Sequence, residues 1–188
     1  RGRADRPDDP PRRALSGAMT MPRARFLSCT RGAAAAEMAL ILPLGMLLMF
    51  AGLEAGHYFY QEHQVIKGLR DGARYAARQS FDAINCRGGA PSTIPSGTVT
   101  AINNLVRTGQ LANGGTPRVT GWDAGEITIT VTCPTVAESQ TGLFDATERA
   151  PQVNITTTFG YNSLFNGLGV INDSASLNAS QQATVMGI

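Results

Sequence analysis

An uninterrupted apolar run near the N-terminal end of the chain constrains the fold more than any other feature. Residues 38–53 contain no charged side chain, and the apolar character extends over residues 33–60 with only two carboxylates and one histidine inside it. A helix that crosses a bilayer needs about 20 predominantly apolar residues. The sequence therefore predicts a membrane-spanning helix over residues 33–60.

One acidic residue, Glu37, lies close to the start of this run, after four consecutive alanines. A carboxylate within a membrane helix costs roughly 2.5 kcal/mol or more to insert. An acidic residue at such a position therefore indicates a functional role. The alternative interpretation is that the side chain reaches the headgroups and does nothing further.

Gly32, the four alanines, Glu37 and the apolar run together resemble the processing site of type IV prepilins, with glycine before the cut and glutamate fifth after it. The continuation, and above all the segment GARYAA at residues 72–77, is similar to the TadE-like pseudopilins of tight-adherence (Tad/Flp) pili. The resemblance covers residues 31–78, and the remainder is similar only in layout. It implies cleavage by a prepilin peptidase between Gly32 and Ala33, and an assembly role for Glu37.

Residues 1–32 form a basic leader that this cleavage would remove, and their charge and proline content predicts disorder. Translation starting at Met19 or Met21 and a longer cytoplasmic tail are both open. A secretory signal peptide is cut after its apolar core. Glu54 and the length of the apolar run fit such a signal poorly. A lipoprotein signal at Cys29 fails because no apolar region precedes it.

The formal net charge of +2 combines two different regions. Residues 1–32 hold eight arginines and three aspartates, whereas residues 33–188 hold eight Lys or Arg and eleven Asp or Glu. A protein that binds nucleic acid keeps a basic patch on its folded part. We therefore expect no nucleic-acid partner.

Residues 61–80 continue the helix as an amphipathic, exported half, with Val65, Leu69 and Ala73 at helical spacing on one side. Residues 33–79 as one helix would be about 70 Å long, far more than a bilayer needs. Pro43 should kink or loosen the membrane half. Two pairs of glycines have the spacing that lets another helix approach: Gly52 with Gly56, favoured as a packing site, and Gly68 with Gly72.

Residues 81–188 predict a small α+β domain outside the membrane, so the fold class is α+β and pilin-like, with one long helix against a small antiparallel sheet. Thr98 as cap and Gly109 as stop delimit a short helix. Residues 134–151 form a long polar connection. The predicted strands are 126–133, 153–159 and 177–186, with an edge strand at 119–122.

The positive charges that flank the membrane segment are nearly balanced, so charge alone does not orient it. The family resemblance puts the N-terminus in the cytoplasm and the C-terminal domain in the periplasm. Because Cys29 would leave with the leader, Cys86 and Cys133 are the exported pair, and we expect them to form a disulfide.

No catalytic constellation emerges, so we expect no enzyme activity, no cofactor and no metal. Glu54 and His57 have the spacing of half a di-iron carboxylate site, but without a second copy a polar, interfacial end of the helix explains them better. Sequence motifs for phosphate binding, esterases and zinc proteases do not occur.

The resemblance implies a minor pilin-like subunit that supports assembly of a Tad/Flp pilus, and so adhesion and biofilm formation. Its expected partners are the prepilin peptidase, a partner pseudopilin, the major Flp pilin, the inner-membrane assembly platform and the lipid bilayer. The alternative is a membrane-anchored, adhesin-like surface-binding module that piliation does not need, with the connection at residues 134–151 contacting a ligand. A membrane-anchored enzyme comes third.

Overall fold

A computed structural model describes residues 30–135, 144, 149–166 and 174–187, with side chains from residue 32 onward. The leader before residue 30 and most of the connection at residues 134–151 lie outside the described residues. The elements are α1 (Thr30–Ala77), α2 (Ser96–Thr108), β1 (Ile127–Thr132), β2 (Gln152–Gly160), β3 (Ser176–Thr184) and two short 3-10 turns (Arg87–Gly89 and Ala124–Glu126). The α+β prediction, with a long N-terminal helix and a small antiparallel sheet, is confirmed.

The chain divides into two compact units, residues 1–43 and residues 44–188. In the described part of the first unit, helix α1 runs from Thr30 through Pro43. Every residue from 32 to 49 is exposed. Among the described residues, α1 is the one helix long and apolar enough to cross a membrane, by length and composition.

The second unit contains a three-stranded antiparallel sheet in the order β1-β2-β3. Ile129 pairs with Ile155 across β1 and β2, and Thr157 pairs with Ala179 across β2 and β3. Side chains alternate along each strand because successive residues point to opposite faces. The inner positions of β2 are the four that the sequence alternation predicts: Val153, Ile155, Thr157 and Phe159.

The C-terminal half of α1 supplies one wall of the core. Val65, Leu69, Ala73 and Ala76 recur every three or four residues and are at most 3% exposed. They belong to one hydrophobic cluster with the inner face of the sheet and with α2. The buried positions include those that the sequence places at helical spacing, and the export of this part of the helix stays a prediction.

Helix α2 lies directly against α1 at the second glycine pair. A Cβ atom at Gly68 would collide with the backbone carbonyl oxygen of Val106, and one at Gly72 would collide with a methyl group of the same valine. This pair therefore seats a helix of the same chain. Gly109 ends α2 in the left-handed conformation, φ 77°, as predicted.

Two local predictions are wrong. Helix α2 begins at Ser96 after Pro95, so Thr98 lies inside the first turn and is not the cap. Residues 119–122 form a turn instead of an edge strand, because the N–H of Trp122 donates to the carbonyl of Val119 and Gly121 has φ 83°.

The turn still buries both of its apolar ends. Trp122 stacks on Phe159 with ring centroids 5.6 Å apart, and its indole N–H donates to the Thr157 hydroxyl at 3.0 Å. That hydroxyl in turn donates to the carbonyl of Glu126. The buried Thr157 hydroxyl on the inner face of β2 thus accepts one hydrogen bond and donates another. These two bonds explain why a threonine is tolerated there.

Candidate functional site

The residues of the predicted processing site are accessible. Gly32, Ala33 and Glu37 are all exposed on α1, and a Cβ atom at Gly32 would meet nothing within 4 Å. None of the described residues pairs with the Glu37 carboxylate. The cut itself and the role of Glu37 stay predictions.

The first glycine pair is open. Gly52 and Gly56 are exposed, and a Cβ atom at either position would meet nothing within 4 Å. The two glycine pairs of α1 therefore differ in what packs on them. Helix α2 packs on Gly68 and Gly72, whereas the helix surface at Gly52 and Gly56 is open. Packing of another helix at Gly52 and Gly56 stays a prediction.

A buried carboxylate, Glu54, lies on the opposite side of α1 from this open pair. Its side chain is fully buried. One of its oxygen atoms, Oε1, accepts hydrogen bonds from the Tyr161 hydroxyl at 2.7 Å and from the backbone N–H of Leu164 at 3.1 Å. The other, Oε2, accepts from the backbone N–H of Phe165 at 3.2 Å, and the Ser163 hydroxyl adds a further bond.

These contacts replace the sequence interpretation of Glu54 as a polar end of the helix that faces the interface. The carboxylate points inward and holds the segment that follows β2, residues 161–166. Buried carboxylates are tolerated where hydrogen bonds satisfy their oxygens, and four donors meet this requirement here.

A directed chain of hydrogen bonds leads to the carboxylate. The single hydroxyl proton of Tyr161 goes to Glu54, so His57 Nδ1, 3.0 Å from that hydroxyl oxygen, must donate its own proton. His57 Nε2 is then the acceptor for the Gln61 side-chain amide at 3.2 Å. Gln61, His57, Tyr161 and Glu54 form a relay in which every donor points toward the carboxylate.

The held segment also packs by apolar contacts. The ring of Phe165 meets that of Phe50 on α1 edge-on, with centroids 5.1 Å apart. The N–H of Asn166 donates to the Ser163 hydroxyl at 3.0 Å, and Asn166 has a positive φ of 28°. The N–H groups of three consecutive residues, 164 to 166, therefore end on side-chain oxygens.

Chemically, this arrangement fixes a loop to a helix, since the carboxylate is fully enclosed and accepts hydrogen bonds from its surroundings. Among the described residues, no group of three His, Cys, Asp or Glu side chains is placed to hold a metal ion. Sequence reasoning missed the role of Glu54. The available signal was its position seven residues before Gln61 and eleven before Val65, on the same buried stripe of the helix.

The two cysteines predicted to pair lie at disulfide-bonding distance. Cys86, nine residues after the end of α1, and Cys133, just after β1, have Cα atoms 5.7 Å apart with the two sulfur atoms bonded. This geometry suits the predicted disulfide. The bond would connect the segment after the long helix to the first strand of the sheet.

The comparisons with known proteins locate the resemblance on the helix. Residues 32–74 match the family model described as TadE-like protein. No curated protein and no solved structure matches the chain. The match begins at the glycine of the predicted processing site, includes Glu37 and Glu54, and ends three residues before the end of α1. Residues 32–74, which form nearly all of helix α1, are therefore similar to the TadE-like family.

Proposed function

We propose that the protein is a minor pilin-like (pseudopilin) subunit that supports assembly of a Tad/Flp pilus, and thereby surface adhesion and biofilm formation. The observation that carries the proposal is the start of α1. There the TadE-like match begins at Gly32, and an apolar helix with an exposed Glu37 follows.

The exposed apolar surface of α1 supports membrane anchoring. Water is a poor solvent for a surface that consists of leucine, isoleucine and methionine side chains over several turns, whereas lipid is a good one. We place the N-terminus in the cytoplasm and the α+β domain in the periplasm. The inner membrane is the proposed location, and incorporation into the pilus is part of the proposal.

The proposed partners follow from this placement. A prepilin peptidase cleaves between Gly32 and Ala33, and the new α-amine at Ala33 then lies one helical turn from Glu37. An ionised Glu37 can pair with that amine in its own chain or in a neighbouring subunit, near the low-dielectric membrane core. The neighbours are a partner pseudopilin, the major Flp pilin and the assembly platform, and the packing site is Gly52 with Gly56.

We propose no catalytic activity. The side chain of His57 is engaged by Tyr161 and Gln61 and serves the burial of Glu54. The role of Glu54 that the contacts support is to position the 161–166 segment.

Processing and piliation test the proposal together. Mass spectrometry of the membrane-extracted protein should give Ala33 as the N-terminus, and deletion of the gene should abolish or reduce pili seen by electron microscopy. Gly32→Leu should block the cut, because a side chain there obstructs the scissile carbonyl. Gly45→Leu is the matched control, since Gly45 is equally exposed on the same helix with nothing within 4 Å.

Two results would contradict the proposal. An uncut chain in cells with an active peptidase would refute the prepilin assignment. Normal piliation in the deletion strain, with loss of surface binding, would instead favour the adhesin-like module.

A further inference from the structure

The structure points to a second membrane contact beside α1. We propose that residues 161–166 lie in the boundary between headgroups and acyl chains, with Leu164 directed into the lipid and Glu54 holding the segment in place. The inference rests on the proposed anchoring of α1 in a membrane, and it concerns a part of the chain that the TadE-like match does not reach.

The depth of the contact follows from the length of the helix. A hydrocarbon core of about 30 Å takes about 20 helical residues. Counted from Ala33 these end at residue 52, and counted from Met38, the first residue after Glu37, they end at residue 57. Both counts put Phe50 inside the core and Glu54 within about one helical turn of its far boundary.

The 161–166 segment lies at this same level. Its Phe165 ring contacts the Phe50 ring with centroids 5.1 Å apart, so the two rings share one depth. The adjacent Leu164 is 53% exposed, and the segment, with the sequence YNSLFN, contains no charged residue. Phe59 and Tyr60, one to two turns beyond Glu54, are also more than half exposed, as expected of aromatic residues at a membrane interface.

Hydrogen bonding makes the position tolerable for a non-helical backbone. An unsatisfied backbone N–H is costly in the hydrocarbon core, where lipid-exposed loops do not occur, so a loop at the boundary is favoured when protein groups satisfy its N–H groups. The N–H groups of Leu164 and Phe165 donate to Glu54, and that of Asn166 donates to the Ser163 hydroxyl. The buried carboxylate thereby supplies the acceptors that water supplies to an ordinary surface loop.

Site-directed spin labelling of the full chain tests this placement. A Cys29→Ser background keeps the Cys86 and Cys133 pair, and a single cysteine is added by Leu164→Cys, Met186→Cys or Leu47→Cys. The protein is reconstituted into vesicles of phosphatidylethanolamine and phosphatidylglycerol. Accessibility is then measured to oxygen, which concentrates in lipid, and to a water-soluble nickel chelate.

Met186 is the matched control. It is 56% exposed, close to the value for Leu164, but its N–H donates to the carbonyl of Ala77 at the far end of the helix. That position is about 35 Å from Glu54 along the helix axis, at 1.5 Å per residue. The label at Leu47 reports whether α1 itself is embedded, and the background without an added cysteine should take up no label.

The expected result is an oxygen-to-nickel accessibility ratio at position 164 that is severalfold higher than at position 186 and near that at position 47. A ratio at 164 equal to that at 186 would overturn the inference while leaving membrane anchoring intact. Shielding of 164 from both reagents would overturn it in favour of a protein partner. A label at 47 that is exposed to nickel would refute the anchoring, and the inference with it.

The role of Glu54 is tested separately with the label at position 164. Glu54→Gln replaces one acceptor oxygen by a donor that faces backbone N–H groups, so label mobility and nickel accessibility should both rise. Glu62→Gln, on the same helix and half-buried, should change neither. Trp122 emission shows whether the domain remains folded, and unchanged mobility in a folded Glu54→Gln protein would show that the carboxylate does not hold the segment.

Discussion

The contact between α1 and α2 at the second glycine pair gives the sharpest prediction. In Gly68→Ala, the added methyl group would collide with the backbone carbonyl oxygen of Val106 and lie 3.2 Å from the ring of Trp122. A carbonyl in a helix cannot rotate away, so α2 must shift. Because the atom that the methyl group meets belongs to the backbone, the overpacking cost should lie in the upper part of the usual range, about 2–3 kcal/mol, and the better helix propensity of alanine returns about 1 kcal/mol.

We therefore expect Gly68→Ala to be destabilised by about 1–2 kcal/mol. For a protein of this size the midpoint of thermal unfolding should fall by about 2–8 °C. Gly72→Ala should cost less, because the atom it meets is a side-chain methyl group of Val106 and not a backbone atom of α2. The ranking of the two variants is as informative as either value.

The chain contains a single tryptophan, and it is buried next to Gly68, so its emission follows the folding of the α+β domain separately from the membrane helix. Thermal unfolding of the detergent-solubilised protein, read at Trp122, is the assay. Gly97→Ala is the control, because Gly97 lies in α2 with nothing within 4 Å and should leave the midpoint unchanged or slightly raised. Gly68→Ala with a midpoint at or above that of the parent would refute the reasoning.

Three further predictions concern single side chains. Glu37→Gln should keep insertion and cleavage but weaken assembly, seen as fewer pili and less cross-linking to partner subunits; assembly at the parental level would remove the pairing role. Cys86 and Cys133 should be unreactive to a thiol probe before reduction, and loss of the bond should cost about 4 kcal/mol for a loop of this length; labelling of both without reductant would disprove the disulfide. Glu54→Ala should lower stability by about 3 kcal/mol or more, since each buried donor left unpaired costs about 1–3 kcal/mol; an unchanged thermal midpoint at Trp122 would contradict the account of the relay.

The parts of the fold that depend on local patterns could be predicted. Helical spacing at Val65, Leu69 and Ala73 and strict alternation along β2 identify their elements because a residue's neighbours in sequence decide which face it occupies. The turn at residues 119–122 could not be distinguished from a strand by this means. Its apolar ends, Val119 and Trp122, are both buried, and the hydrogen bond between them and the positive φ at Gly121 separate the two outcomes.

The site depends on contacts that no local pattern contains. The partners of Glu54 follow it by 107 to 111 residues, so the sequence shows a carboxylate near the end of the predicted membrane segment without showing what it binds. The glycine pairs present the same difficulty, because a helix from the same chain and a helix from a partner need the same small surface. Only the fold shows that α2 occupies the pair at Gly68 and Gly72.

The long sequence separation of the Glu54 hydrogen bonds also imposes an order on biogenesis. At a synthesis rate of about 5–20 residues per second, Tyr161 leaves the ribosome about 5–20 s after Glu54. Until then the carboxylate has neither Tyr161 nor the following N–H groups, and entry into the hydrocarbon core would cost roughly 2.5 kcal/mol or more. In the proposed membrane placement, water would therefore solvate this turn of α1 until residues 161–166 are synthesised.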